Sequence, residues 1–313
     1  VILLAGQEGI KSTYKGFGVR GTGTTDDRLP TMGNVTEGKV PSYSSYTNEY
    51  LSFFGRADYN YKEKYYANFT VRNDQCSRFG SKNRSANFYS GGLMWNITSE
   101  DFMAETRGWL SDLQLKVSVG STGNSSIGNY ESLGLIGTTQ YMGQSGWLLS
   151  QPANEELGWE TQIQTNVGVM ARFYDRVNLD VNFYHKKTKD MLMGVPLPHT
   201  TGFASQTMNI GSMSNKGVEI EVSVDALRTR DAYVTLYANY AYNTNKIDEL
   251  FYGYQEWPML EYLLNYVVGE SLNYYMPIYA GVDKNDGAPM WYKVGHNGKP
   301  GHEYNPETMT KTY

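Results

Sequence analysis

Two neighbouring segments of the chain alternate apolar and polar residues with a period of two. The apolar positions are Ile163, Val167, Val169, Ala171 and Phe173 in the first segment and Val177, Leu179, Val181 and Phe183 in the second. Because strand side chains alternate between the two faces of a sheet, each segment predicts a strand with one apolar and one polar face. Strands of roughly 9–11 residues with this character are those that span membranes in β-barrels.

The same alternation predicts nine strands along the chain. They are 1–20, 50–61, 65–73, 88–97, about 113–119, 161–173, 177–184, 218–224 and 233–243. Several are about twice the average length of about 5–6 residues, whereas a soluble β-sandwich, the main alternative, is built from strands of average length. The pattern therefore predicts an all-β fold, an antiparallel transmembrane β-barrel segment.

Short and long connections alternate between the predicted strands. Short turns are expected near Lys62, Asp175 and Thr229, and 98–112 predicts a short helical connector with Ser99 as its cap. Long polar loops are expected at 21–49, 74–87, 121–158, 188–216 and from 245 onward. Outer-membrane barrels have short periplasmic turns and long extracellular loops in this way.

Aromatic residues lie near several predicted strand ends. Tyr and Trp at these positions are typical of membrane-interface girdles, although they also favour ordinary strands. The candidates are Tyr59, Tyr61, Tyr65, Trp95, Trp159 and Tyr174.

Composition narrows the class of protein. The chain has 27 Tyr, 11 Phe and 6 Trp, but its mean hydropathy is −0.52. No apolar run approaches the roughly 20 residues of a membrane helix, which excludes a helical membrane protein. The net charge of −5 argues against a nucleic-acid partner. The single Cys76 cannot form an internal disulfide.

The chain shows neither a signal peptide nor an initiator Met. An exported protein needs a signal peptide, so we expect the N-terminus shown not to be the beginning of the gene.

Five segments carry a family resemblance. They are FFGRADYNY at 53–61, VRNDQCSRFG at 71–80, LKVSVGSTGN at 115–124, NEELGWE at 154–160 and NIGSMSNKGVE at 209–219. In these segments, their order and their spacing, the chain resembles the SusC-like (RagA-like) TonB-dependent outer-membrane transporters of Bacteroidota. The resemblance covers nearly the whole chain. The sequence departs from the family near Cys76 and at Phe88-Tyr89, where the family has Phe-Pro, and neither departure disturbs the strand pattern.

The resemblance implies a barrel of about 22 strands with a plugged lumen. On this expectation, residues 1–313 are a single domain, a portion of that barrel, and the plug and the last strands lie outside the chain. It further implies the outer membrane of a Gram-negative bacterium, a SusD-like surface lipoprotein as a lid, and TonB acting through a plug segment. The cargo expected first is an oligosaccharide, and the alternative is an oligopeptide carried as by RagA-like members.

Motifs for catalysis or metal binding are weak in this sequence. His185, His199, His296 and His302 have no metal-ligand spacing. The segment 283–287 resembles a calcium loop, but its Gly comes one residue early and no Glu follows at the right distance, so it predicts a polar turn. We therefore expect no catalytic residue, metal or cofactor. A barrel-embedded outer-membrane enzyme and a passive porin stay as less favoured alternatives.

Aromatic residues in the long loops are the candidate substrate-binding residues. They are Tyr141, Trp147, Tyr252, Tyr254 and Trp257. Flat aromatic faces can stack on a sugar ring while neighbouring polar groups bind its hydroxyls. The alternative for these residues is packing between loops or contact with a partner protein.

A row of polar residues is predicted to face the inside of the barrel. These residues are Arg172, Asn178, Asp180, Asn182, Glu219 and Glu221. They are expected either to line the lumen or, as a plugged barrel favours, to hold the plug.

Overall fold

The computed structural model describes residues 1–24, 26–259, 263–274, 276–293 and 303–311, without the side chain of residue 39. The chain folds into two compact units, Val1–Thr244 and Asn245–Tyr313. The single domain expected over 1–313 stays a prediction.

Strands account for almost all regular structure in the described residues up to Glu249. In chain order they are β1 Ile2–Thr24, β2 Val35–Tyr61, β3 Tyr65–Cys76, β4 Ser85–Asn96, β5 Leu110–Asn124, β6 Leu135–Tyr141, β7 Gln144–Gln151, β8 Glu160–Phe173, β9 Val177–Lys189, β10 Leu192–Pro196, β11 Ser205–Asn209, β12 Ser212–Arg228 and β13 Tyr233–Glu249. Nine of them form one sheet in the order β1-β2-β3-β4-β5-β8-β9-β12-β13. The pairings from β1 to β12 in this sheet are antiparallel, so the predicted antiparallel architecture is confirmed.

Register gives this sheet one apolar and one polar face. Phe183 on β9 lies directly opposite Val167 on β8 and Val218 on β12. Ala57 lies opposite Phe69 in the same way. These side chains point to a face that is largely solvent-accessible in the isolated chain, with Phe183 56% exposed. A sandwich would cover such a face with a second sheet, and no sheet of the described part of this unit does so.

Strands β1 and β2 are longer than the sequence predicted. The loop expected at 21–49 is largely strand, because β1 continues to Thr24 and β2 begins at Val35, and 26–34 lie outside both strands. In this ribbon Tyr14 stacks on Tyr46, with their ring centroids 4.9 Å apart. Both faces of a two-stranded ribbon can meet water, so it needs no apolar alternation, and a period-two pattern does not reveal it.

The long loops predicted at 121–158 and 188–216 contain hairpins. Strands β6 and β7 pair with each other, as do β10 and β11. The β6–β7 turn uses Met142 and Gly143, both at positive φ. The connection between β9 and β12 is also shorter than the predicted loop 188–216, because β9 continues to Lys189 and β12 starts at Ser212.

The connector after β4 is helical, as predicted, but its cap is different. It consists of two 3₁₀ helices, Ile97–Ser99 and Asp101–Thr106. Glu100, not Ser99, occupies the N-cap position of the second helix, and its side chain makes no capping bond. The Glu100 carboxylate instead accepts hydrogen bonds from Lys64, Tyr65 and Trp95. Among the described residues, no helix is long and apolar enough to cross a membrane.

Four of the predicted girdle residues form a continuous row beside this connector. The ring centroids of Tyr59 and Tyr61, and of Tyr61 and Tyr65, are 6.5 Å apart, and those of Tyr65 and Trp95 are 6.3 Å apart. The other two lie elsewhere. Tyr174 lies in the β8–β9 turn, and Trp159 packs on Phe79 and Phe88.

The second unit contains two small three-stranded sheets in the region predicted as loop. One consists of β14 Glu256–Met259, β15 Leu264–Val267 and β16 Asn273–Tyr274, and the other of β17 Tyr279–Val282, β18 Pro289–Tyr292 and β19 Met309–Thr310. These strands are too short for the alternation to be visible in the sequence. Phe251, Ala280 and Met290 are fully buried within this unit.

Glu100 generates a first prediction. The hydrogen bonds from Tyr65, Lys64 and Trp95 lower the pKa of this carboxyl from 4.5 to about 2. Its contribution to stability is therefore full above about pH 4.5 and is lost as the pH falls towards 2. We expect Glu100→Gln to lower the melting temperature of the full-length protein at pH 7, measured by circular dichroism in detergent.

The pH profile and a control separate this effect from a general loss of charge. The difference in melting temperature between wild type and Glu100→Gln should shrink as the pH is lowered from about 4.5. Asp101→Asn, which changes a fully exposed carboxylate 3.7 Å from Lys64, should have little effect. Equal destabilisation by both variants, or a difference independent of pH, would contradict the assigned role.

Candidate functional site

The six residues of the predicted polar row share one face of the sheet. Arg172 lies directly opposite Asn178, Asp180 opposite Glu221, and Asn182 opposite Glu219. Since directly opposite residues of an antiparallel pair project to the same face, all six are on the side away from Phe183 and Val167. The structure thus brings the predicted row together as one surface.

Hydrogen bonds connect parts of this row. Asn182 Nδ2 donates to Asp180 Oδ1 over 2.7 Å, and Asn178 Nδ2 donates to Ser223 Oγ over 2.9 Å. A concavity of about 480 Å³ opens on this face; its lining includes Asn178, Asp180, Glu221, Ser223 and Tyr237. Its amide, hydroxyl and carboxylate groups can accept and donate hydrogen bonds to a polar ligand or to another segment of protein.

Arginines on the β1–β3 part of the polar face are paired with carboxylates. Arg72 Nη2 is 2.9 Å from Glu8 Oε2, and Arg72 Nε is 2.5 Å from Asp74 Oδ1. Arg56 Nη2 is 2.8 Å from Asp58 Oδ1. These partly exposed pairs contribute little to stability, but they leave this part of the face nearly neutral.

The predicted loop aromatics fall into two separate sets. Tyr141 and Trp147 belong to the β6–β7 hairpin and are 76% and 77% exposed. Tyr252, Tyr254 and Trp257 surround the buried Phe251 in the second unit, with centroid distances of 5.6, 5.2 and 4.7 Å to its ring. Tyr141 and Trp147 are free to contact a ligand, whereas the ring of Trp257 packs on Phe251.

Residues in the loops and at the adjoining strand ends build a small core that sequence reasoning did not assign. Cys76, Phe79 and Leu157 are buried together, with Tyr50, Ile127, Trp159 and Leu192 packed around them. We call this set the loop junction. Phe79 and Leu157 belong to two of the five resemblance segments, VRNDQCSRFG and NEELGWE. Apart from that resemblance, the sequence signal for the junction was the presence of apolar residues outside the predicted strands.

Hydrogen bonds extend the loop junction to a third of these segments. Asn209 Oδ1 accepts from the Gly158 amide over 2.6 Å, and Asn209 Nδ2 donates to the carbonyls of Gly158 and Asp190. The Gly80 amide donates to the Leu157 carbonyl over 2.8 Å. Chain segments far apart in sequence are thereby held at one end of the sheet.

Residues 283–287 form a polar turn, as predicted, with a cation supplied by the protein itself. Lys311 Nζ donates to Asp283 Oδ2 over 2.5 Å and to Asp286 Oδ2 over 2.6 Å, and it lies 4.8 Å from the Tyr304 ring centroid. The described residues contain no cluster of three or more metal-ligating side chains. The predicted loop positions of His296 and His302 lie outside the described residues.

Long antiparallel strands that are apolar on one face and polar on the other are typical of β-barrel membrane proteins. The chain belongs to the TonB-dependent receptor-like β-barrel family, whose model matches residues 5–292. The resemblance found in the sequence motifs is thereby confirmed.

Curated relatives support the same family. The chain is 35% identical over 229 residues to TonB-dependent receptor P39 of Formosa agariphila, an alignment covering 72% of this chain and 22% of the relative. It is 35% identical over 216 residues to TonB-dependent receptor SusC of Bacteroides thetaiotaomicron, covering 66% of this chain and 21% of SusC. These relatives are receptors and not enzymes, as the sequence predicted.

Solved structures agree with the fold. The RagAB peptide importer in its closed-closed state superposes with a TM-score of 0.80 at 37% identity, over 99% of this chain and 34% of the RagAB chain. The RagAB peptide transporter superposes with a TM-score of 0.81 at 37% identity, over 98% of this chain and 35% of that chain. The chain thus spans about a fifth of the length of the curated relatives and about a third of these structures.

The loop junction generates a second prediction. A Cβ atom added at Gly80 would lie 2.1 Å from the Glu155 carbonyl oxygen, so Gly80→Ala must push two backbone segments apart. We expect a local destabilisation of about 1–3 kcal/mol. Hydrogen–deuterium exchange of the full-length protein should accelerate in peptides covering 77–84 and 152–158.

Gly194→Ala is the matched control, because nothing lies within 4 Å of a Cβ atom at that position. It should leave exchange in these peptides unchanged. If Gly80→Ala also exchanged like wild type, the junction would not hold the loops as described.

Lys311 generates a third prediction, within the second unit. Its ammonium holds the pKa of the buried Asp283 carboxyl below its ordinary value. Lys311→Ala leaves that carboxylate without its cation, so hydrogen exchange should accelerate in 279–292 of the full-length protein. Lys284→Ala, which removes a lysine paired with the exposed Glu303, should have a smaller effect. Equal acceleration by the two variants would refute the special role of Lys311.

Proposed function

We propose that this chain forms part of the barrel wall of a TonB-dependent transporter that imports a nutrient across the outer membrane of a Gram-negative bacterium. The observation that carries the proposal is the nine-stranded sheet with an apolar outer face and a polar inner face, in a chain of this receptor family. An apolar face of this kind is stable against lipid, and a polar one against a hydrated lumen or plug.

An oligosaccharide is the first candidate substrate. The exposed aromatic faces of Tyr141 and Trp147, on a hairpin beyond the sheet, support this candidate. Stacking on a sugar ring would use such faces, with hydrogen bonds from neighbouring polar groups. Within the second unit, Tyr252 and Tyr254 are also more than half exposed and, with Trp257, form a separate set of proposed binding residues.

An oligopeptide is the second candidate substrate, and a different observation favours it. The RagAB structure that matches 99% of this chain is that of a peptide importer. Exposed Tyr and Trp side chains also bind peptides well, because they offer a large rigid surface with few rotatable bonds.

The proposed partners follow from the same mechanism. A SusD-like surface lipoprotein closes over the loop end of the barrel, and TonB acts on a plug through a segment outside this chain. The polar row of Arg172, Asn178, Asp180, Asn182, Glu219 and Glu221 holds that plug or lines the lumen. The apolar face contacts outer-membrane lipid.

Uptake by cells with and without the full-length protein tests the proposal. Labelled oligosaccharides and labelled oligopeptides are offered separately, with and without a protonophore. TonB-dependent import requires the proton gradient, so uptake should cease when the protonophore is added. Gradient-independent uptake would instead support a passive porin, and hydrolysis of a substrate by the purified protein would support an enzyme.

The exposed hairpin aromatics generate a fourth prediction. The double variant Tyr141→Ala with Trp147→Ala should weaken binding of the imported substrate about tenfold, as expected when contact residues central to binding are truncated. Binding is measured by isothermal titration calorimetry on the full-length protein in detergent. Phe102→Ala, an exposed aromatic in the connector at the opposite strand end, is the control. Unchanged affinity in the double variant would exclude these two residues from the substrate site.

A further inference from the structure

A patch of basic residues lies on the apolar face of the sheet at its loop end. His185, Lys187 and Lys189 alternate along β9 and therefore share one face, and Lys216 on β12 lies directly opposite His185. We call these four residues the basic patch. His185, Lys189 and Lys216 are exposed, and Lys187 is partly exposed.

Register places the basic patch directly beside the apolar band. The next positions on the same face are Phe183 and its partner Val218. Across the other edge of β9, Lys187 lies opposite Ile163. The intervening Lys186 projects to the other face, where its ammonium lies 4.8 Å from the Tyr184 ring centroid. The basic patch thus belongs to the outer, apolar surface and not to the polar one.

The basic patch has no counter-ion within the described residues. None of its three lysines forms an ion pair there, in contrast to Arg56 and Arg72 on the polar face. Lys187 and Lys189, two apart on β9, are about 7 Å apart, and Lys216 lies diagonally across from Lys187 at about 7–8 Å. Like charges this close repel each other, so this arrangement is stabilised when an external anion lies between them.

The order of groups on this face defines the chemistry of that anion. Apolar side chains are followed, one step towards the loops, by flexible ammonium groups that can extend to a polar boundary. A membrane lipid presents the same order, with acyl chains followed by a charged headgroup. A soluble anion would make no use of the apolar band, and a plug or lumenal ligand would meet the opposite face.

We propose that the basic patch binds the phosphate of an anionic lipid headgroup in the outer leaflet, with the acyl chains lying on the band around Phe183 and Val218. The inference goes beyond nutrient import, but it rests on the outer-membrane location in the proposed function. It adds a lipid site on the outside of the wall, separate from the substrate site.

Native mass spectrometry and lipid titration of the full-length protein in mild detergent test this site. The probes are bisphosphorylated lipid A, the same lipid after removal of both phosphates, and inorganic phosphate alone. The test variant is Lys187→Gln with Lys216→Gln. The matched control is Lys116→Gln with Lys186→Gln, which removes two lysines from the opposite face of the same sheet.

We expect the test variant to bind bisphosphorylated lipid A about 30-fold more weakly than wild type, since each basic residue near a membrane surface contributes about a factor of five to anionic lipid binding. The control variant should bind within about twofold of wild type. Lys187→Arg with Lys216→Arg, which keeps both charges, should retain most of the affinity. The dephosphorylated lipid should bind wild type and the test variant equally.

Several results would overturn the proposal. One is an equal loss of affinity for bisphosphorylated lipid A in the test and control variants. Another is an equal loss of affinity of the test variant for the dephosphorylated lipid. A third is displacement of the lipid by inorganic phosphate at comparable concentrations, which would indicate a site for free phosphate. Electrophoresis of unheated samples in detergent checks that each variant is folded, because a folded barrel migrates differently from the heat-unfolded chain. Intact energy-dependent uptake without lipid binding would refute only this inference, whereas absence of the protein from the outer membrane would refute the proposed function.

Discussion

Backbone hydrogen bonding between neighbouring strands is the constraint on which the rest of this molecule depends. In a lipid environment no water satisfies a free amide or carbonyl, so each strand must pair with its neighbours along its whole length. The ladders from β1 to β13 pair neighbouring strands within the sheet and set the register at the same time. A slip of one residue would move Phe183 to the polar face and Asn182 to the apolar one, so the hydrophobic pattern and the ladder enforce each other.

The two ends of the strands are fixed by different chemistry. At the turn end, one carboxylate, that of Glu100, binds Lys64, Tyr65 and Trp95 and so holds the aromatic row in place. At the loop end, the junction around Phe79 and Leu157 is a small hydrophobic core outside the sheet. The connector at the turn end is held by hydrogen bonds to a single carboxylate, whereas long loops must bury apolar surface to offset the entropy of ordering them.

The distribution of charge also differs between the two faces. On the polar face, Arg72 is balanced by Glu8 within the chain. On the apolar face, Lys187 and Lys216 have no ion-pair partner among the described residues and lie beside the apolar band. Internal pairing suits a surface that meets a protein plug or water, and unpaired cations suit one that meets anionic headgroups. This contrast supports two separate binding surfaces on one wall.

The sequence by itself determined the nine strands, their two faces and the shared surface of the polar row, because period-two alternation is a local property that each strand carries alone. It also carried the family resemblance. Only the tertiary structure decided the long β1–β2 ribbon, the cap position of Glu100, the loop junction and the pairing of Lys311 with Asp283. Each of these depends on residues far apart in the chain, such as Phe79 and Leu157, and no local pattern records which distant segments will meet.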